Sequence, residues 1–241
     1  MLPKIDVPVY ELKIPSSGKE IKVRPFLVKE EKLLLIAAES SDINEIIRTT
    51  KQIVNNCIIE GDVDIEKLPF FDVDYLFIAL RAKSISETIE IGFTCNHVLP
   101  ETGQKCGHNF DANIDISYAT IVKPDIPMVY DLGGKVSVKM KYPSYSLMKV
   151  IDEKGNPLER KINIIINCID QIVKGDKVYS SKDYSKDDLR EFVENLTEEN
   201  YKKLEGFTMN FPYFAVLFDK TCGKCGHEHH IEYTDFESFF Y

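Results

Sequence analysis

The chain lacks most of the features that announce a familiar activity. No apolar run approaches the roughly 20 residues a membrane-spanning helix needs, so no membrane partner is expected. The opening stretch Met1-Leu2-Pro3-Lys4-Ile5-Asp6 has no apolar core of the signal-peptide kind, which predicts a chain that stays in the cytoplasm unless carried elsewhere. A basic surface is missing as well. The 39 acidic residues outnumber the 30 basic ones, and the formal net charge of −9 argues against a nucleic-acid partner, because non-specific binding needs positive charge. No glycine-rich loop has phosphate-binding spacing, and no serine sits in a nucleophile elbow. No catalytic residue and no small-molecule substrate is therefore expected. Disorder is excluded from the other side: 44% of the 241 residues are hydrophobic, enough to fill one large core or two small ones.

What stands out is cysteine placed beside glycine and histidine. One stretch reads Phe93-Thr94-Cys95, a ten-residue loop, then Cys106-Gly107-His108; another reads Thr221-Cys222-Gly223-Lys224-Cys225-Gly226-His227. Each follows an apolar run (Ile89, Ile91, Phe93; Phe214, Val216, Phe218) and leads into alternating apolar positions (Phe110, Ile114, Ile116; Ile231, Tyr233). Strand, turn with two thiols, strand is a zinc-knuckle pattern. The glycine after the second cysteine lets backbone amides turn toward sulfur. One knuckle supplies two ligands and a structural zinc usually takes four, so the spacing predicts one zinc shared by Cys95, Cys106, Cys222 and Cys225. Cys57 and Cys168 lie in apolar helical stretches and read as buried hydrophobes.

Taken in order, the chain predicts an α+β fold. Residues 7–27 form a hairpin turning at Pro15-Ser16-Ser17-Gly18. A helix runs from Lys29 to Glu39 with Leu33, Leu34, Ile36 and Ala37 inward, and the Lys29-Glu30-Glu31-Lys32 run reads as a solvated face. Asp42 with Glu45 suggests a capping box, opening a helix that continues past Cys57 and Ile58 to Gly61. Asp72 begins another helix, through Leu80 to Lys83, and the first knuckle follows. Residues 119–128, which carry Pro124 and Pro127 and little pattern, read as a linker. The order then repeats. A hairpin turns at Gly133-Gly134, a short helix runs from Tyr145 to about Ile151, and a polar loop spans Asp152 to Arg160. A helix through Ile162 to Val173 stops at Gly175, and two more begin at Ser185 and Thr197 before the second knuckle.

The halves match in detail. Asn56-Cys57-Ile58 equals Asn167-Cys168-Ile169, Gly61-Asp62 answers Gly175-Asp176, and Cys106-Gly107-His108 equals Cys225-Gly226-His227. Tyr75 lies 20 residues before Cys95, and Tyr201 lies 21 before Cys222. The expectation is two tandem repeats of β-hairpin, helices and knuckle: 1–118, and 129–241 including an aromatic C-terminal tail. If they pack about a pseudo-twofold axis, the knuckles face each other.

Four alternatives stay open, the first being that the cysteines hold no metal and that hydrogen bonds and packing alone fix these turns. Cys222-Gly223-Lys224-Cys225 also resembles a thioredoxin-type redox pair, which wants its thiolate at a helix N-terminus, whereas a strand pattern follows here. His97, His108, His227, His229 or His230 can replace a cysteine ligand, giving two separate sites. A catalytic zinc needs an open position and a base, for which Glu101 and Glu228 are near in sequence. Phe236, Phe239, Phe240 and Tyr241 crowd the end of the chain, and either the fold itself or a partner must cover them.

The run Ile14-Pro15-Ser16-Ser17-Gly18-Lys19-Glu20-Ile21-Lys22-Val23-Arg24-Pro25-Phe26-Leu27-Val28-Lys29-Glu30-Glu31-Lys32 resembles the N-terminal signature of T4-type bacteriophage baseplate hub proteins. Tyr75-Leu76-Phe77-Ile78-Ala79-Leu80-Arg81-Ala82-Lys83-Ser84 is similar to that family's second shared block. The resemblance implies a non-enzymatic part of the hub region of a contractile-tail baseplate, with other tail proteins as partners. It implies a place in the virion after assembly in the host cytoplasm. A tail-assembly chaperone for the tape-measure protein, absent from the finished particle, is the alternative it allows.

Overall fold

A computed structural model describes residues 5–40, 42–147 and 156–240. Among these, helices and antiparallel strands are mixed along the chain, which is the α+β class. In order they are β1 (Tyr10–Lys13), β2 (Glu20–Val23), α1 (Val28–Ser40), α2 (Ile43–Cys57), β3 (Ile58–Glu60), α3 (Phe70–Ser84), β4 (Thr88–Thr94), β5 (Asn109–Asp115) and β6 (Thr120–Val122). There follow β7 (Val129–Gly133), β8 (Val136–Met140), α4 (Pro157–Cys168), β9 (Ile169–Lys174), β10 (Lys177–Ser180), α5 (Lys186–Glu194), α6 (Glu198–Thr208), β11 (Tyr213–Thr221) and β12 (Glu228–Tyr233). The expected helix at Tyr145 is a single tight turn over Tyr145–Leu147, and residues 148–155 of that helix and its polar loop lie outside the described residues.

The chain divides into two compact units, one of Met1–Val63, Phe71–Val122 and Tyr213–Tyr241, the other of Asp64–Phe70 and Lys123–Pro212. The knuckle hairpin β11–β12, which sequence order attaches to the second repeat, belongs to the first unit. The stretch read as a linker contains β6, which pairs with β11 in that unit, Val122 opposite Tyr213.

In the first unit, β1, β2 and β3 form an antiparallel sheet. Helix α1 packs on α2. Helix α3 buries Phe71, Val73, Leu76, Phe77, Ile78, Leu80 and Ala82, and with them Asp72 and Arg81, so it is covered on most sides and runs through the core. The end of the chain docks here. Phe239 is fully buried between Phe214 and Tyr233, with ring centroids 5.6 and 5.9 Å away, and its carbonyl accepts from Arg81 Nε at 2.7 Å. Phe236 lies 5.4 Å from Phe77; Tyr241 is outside the described residues.

In the second unit the strands run β10-β9-β8-β7, and α4, α5 and α6 close a core of Val138, Met140, Ile162, Ile165, Ile166, Cys168, Ile169, Leu189, Val193, Leu204 and Phe207. Helix starts follow the chemistry of the sequence. Ser185 and Asp188 form a reciprocal capping box, and the Thr197 hydroxyl accepts from the Asn200 amide.

Two long helices expected from periodicity end early. Helix α2 stops at Cys57 and α4 at Cys168, and the chain passes directly into β3 and β9. The Ile- and Val-rich segments satisfy helix spacing, but β-branched side chains suit a strand equally well, and an open sheet edge decides between them. The two junctions match residue for residue. Val23 pairs with Ile58 and Met140 with Ile169; each ladder shifts register at that point, after Lys22 in one and Lys139 in the other.

The run read as a solvated helix face is also different. Glu30 is fully buried, its carboxylate 3.1 and 3.2 Å from the Arg24 guanidinium and 3.0 Å from the Leu27 amide that opens α1. Ile36, expected inward, is about half exposed, while Ala38 is buried. Asp42 accepts from the Asn44 amide, and Glu45 pairs with Arg48.

Candidate metal centre

The hairpin β4–β5 positions the first pair of thiols and β11–β12 the second, all within the first unit. The backbone solution is the same in both. Cys95 N–H donates to the His108 carbonyl at 2.8 Å, and Gly107 N–H donates to the Cys95 carbonyl at 2.9 Å. Cys222 N–H donates to the His227 carbonyl at 2.8 Å, and Gly226 N–H to the Cys222 carbonyl at 2.9 Å. Gly107 and Gly226 have φ of 63° and 71°, left-handed values that glycine adopts without steric cost. The ten-residue loop of the first knuckle folds into a small hairpin of its own: Leu99 N–H meets the Gln104 carbonyl, and Cys106 N–H meets the His97 carbonyl, both at 2.8 Å. That return brings Cys106 beside Cys95 despite the longer spacing.

The four thiols converge. Cys95, Cys106, Cys222 and Cys225 place their Sγ atoms within 4.8 Å of one another. Cys95 to Cys225 is 3.7 Å and Cys106 to Cys222 is 4.0 Å. A tetrahedron with metal–sulfur bonds of about 2.3 Å has sulfur–sulfur edges of about 3.8 Å. The donors thus stand at metal-binding spacing and can hold an ion. Cys95, Cys106 and Cys222 are buried and Cys225 is half-buried; Leu99 and Phe110 pack against them.

Backbone amides do turn toward sulfur, but they are not those of the glycines, which are engaged with carbonyls. The His97 amide serves Cys95, the Lys224 and Cys225 amides serve Cys222, and the His227 amide serves Cys225. In three of these the donor lies two residues beyond the cysteine. The effect on the thiols is uneven. The amides of Cys225 and Lys224 pull Cys222 down to about 7, while burial pushes Cys95 up to about 12. Four thiols this close cannot all ionise without a cation among them, and a divalent ion removes the conflict.

The other candidates fall into place around the cluster. His97 stacks on His227 at a centroid distance of 4.0 Å. His108 lies over Phe110, and His230 pairs with Asp219 at 2.6 Å. His229 reaches furthest in, its Nε2 3.2 Å from Cys95 Sγ. Glu101 and Glu228 are exposed. Cys222 follows strand β11 and Cys225 precedes β12, with no helix N-terminus at either. Cys57 and Cys168 are fully buried away from the cluster, and burial raises their thiols to about 11 and 12. Sequence reasoning missed the buried Arg24–Glu30 pair; the one available signal was an acid three residues into a helix, where it can reach back to the preceding amides.

These features define an α+β protein that carries a compact four-thiol centre between two hairpins. The chain belongs to the T4 bacteriophage base plate protein family, which it matches over residues 7–241. Membership associates it with the virion tail and with other phage tail proteins as interaction partners. No curated protein and no solved structure matches it. No described helix is long and apolar enough to cross a membrane.

Proposed function

We propose that this protein is a non-enzymatic scaffold of the hub region of a contractile-tail baseplate, made in the host cytoplasm and built into the virion, where it acts through contacts with neighbouring tail proteins. The observation that carries this is the base plate family match over residues 7–241. The hub assignment draws on the N-terminal signature from Ile14 to Lys32. In the structure this signature holds the β1–β2 turn, with the Ser16 amide bonded to buried Asp72, and the Arg24–Glu30 pair. Mass spectrometry of purified tails is the test. The chain in stoichiometric amount, next to hub proteins, is the expected result. Its absence from finished tails, together with co-purification with the tape-measure protein before assembly, supports the chaperone role instead.

Within this scaffold the four cysteines hold one structural zinc. The sulfur–sulfur distances of 3.7 and 4.0 Å fit a tetrahedral thiolate shell, and exchanging the knuckles turns one of these pairs into the other, as a local twofold axis requires. The chain arose by duplication of a hairpin–helix–knuckle repeat. What supports this is the shared register shift, with Val23 opposite Ile58 and Met140 opposite Ile169, and the shared hydrogen bonding of the knuckles. Metal content per chain tests the zinc: one zinc lost from either Cys95→Ser or Cys225→Ser fits a shared site, and two independently lost ions refute it.

A further inference from the structure

We infer that His229 is a fifth member of the metal centre, a positioning residue that donates its Nε2–H to the Cys95 thiolate from the opposite knuckle; this rests on the zinc reading above. Cys95 sits on the first knuckle, and His229 lies on β12, the return strand of the second. Its Nε2 is 3.2 Å from Cys95 Sγ, within hydrogen-bond distance. A metal-bound thiolate is an acceptor only, so the proton of that contact belongs to the imidazole. The ring is held in place by its neighbours: its centroid lies 5.8 Å from Phe110 and 4.7 Å from His227, the latter nearly edge-on at 85°. Both neighbours are themselves fixed, His227 by stacking on His97 and Phe110 by packing against the cysteines.

A shell of four thiolates around a divalent ion carries a net charge of −2, and N–H donors spread that charge without entering the shell. His229 stays outside because four sulfurs, all within 4.8 Å of one another, are enough to fill a tetrahedral shell. The contact also joins the two knuckles independently of the ion.

The test uses the full-length protein loaded with Co2+, whose thiolate charge-transfer absorption reports the number of sulfur ligands, with EDTA to follow release. His229→Phe keeps a ring against Phe110 and removes the donor. His229→Gln restores an N–H near the position of Nε2, and His230→Gln controls for loss of an exposed imidazole. The expected result is one Co2+ with four-thiolate intensity in all four proteins. In His229→Phe the charge-transfer band moves to lower energy and the ion leaves about 10-fold faster, and both changes are largely reversed in His229→Gln. Wild-type band position and release rate in His229→Phe overturn the inference while leaving the zinc site standing. Three-thiolate intensity in the wild type overturns it differently, by making His229 a ligand. A wild type that binds no metal overturns the zinc reading itself.

Discussion

Arg24 and Lys141 occupy matching places in the two units. Each donates its backbone N–H to the carbonyl of the cysteine that ends a helix, Cys57 at 2.9 Å and Cys168 at 2.7 Å. Beyond the backbone they diverge. The Arg24 guanidinium lies against the fully buried Glu30 and within 3.7 Å of Cys57 Sγ, whereas Lys141 Nζ reaches the Ser181 hydroxyl at 3.3 Å in a part-buried position. The ladder alone is therefore enough to turn a helix end into a strand, since it does so in both units. The ion pair adds something else to one of them: it ties the β2 exit to the first turn of α1. The first unit also carries the four-thiol centre, while among the described residues the second holds no such cluster and relies on a helix-covered sheet.

The largest expected effect separates the units by their dependence on metal. The binding free energy of a structural zinc, on the order of 10 kcal/mol, is comparable to the whole stability of a domain. Stripping the ion, or Cys225→Ser, is expected to abolish the cooperative melting of the first unit and leave a transition for the second. Calorimetry with and without chelator checks this, and a single unchanged transition would break the comparison.

Next comes the ion pair. Glu30→Gln leaves Arg24 buried without its counter-charge and is expected to cost about 3–5 kcal/mol, read from urea unfolding. Lys141→Met, its counterpart, is expected to cost less than about 1 kcal/mol. Equal losses would mean the two positions are not different in kind. The pH dependence follows from the same pair. Burial alone raises the Glu30 carboxyl, but the Arg24 hydrogen bond, the Leu27 amide and the attraction of Arg24 and Lys29 outweigh it, and the net shift is downward. A depressed folded value means the contribution is present above the unfolded value of about 4.3 and lost as pH falls through the lower folded one. Wild type and Glu30→Gln should therefore converge in stability as pH drops below about 4.

The knuckle turns give a smaller effect. Gly226→Ala forces an L-residue into a left-handed conformation and is expected to cost about 1–2 kcal/mol, visible only in the transition of the first unit. Ser185→Ala removes the capping box of α5 and is expected to cost about 1 kcal/mol, visible only in the second. Circular dichroism melts of the two variants, compared with the chelated protein, assign each transition to its unit.

Much of this architecture was legible from the chain alone. The hairpins at Gly18 and Gly133-Gly134, the caps at Ser185 and Thr197, and the burial of Cys57 and Cys168 follow from turn chemistry, side-chain acceptors and apolar spacing, all of which act over a few residues. The thiol pairs were also legible, because a knuckle is a local turn whose glycine and cysteine positions are set by sequence. The ion pair was not, since a Lys-Glu-Glu-Lys run looks solvated until a neighbouring strand presents Arg24.

Which side chains can bind a metal and where the chain must turn are set locally, for those depend on chemistry and near neighbours. That Ile58–Glu60 and Ile169–Lys174 are strands comes from long-range packing, because a segment compatible with both periods is settled by the open edge of β2 or β8 beside it. Only the tertiary structure brought β12 against the first knuckle and so set His229 beside Cys95, more than a hundred residues away along the chain. Long-range pairing decides where local preference is nearly balanced, and a sequence read a few residues at a time does not contain it.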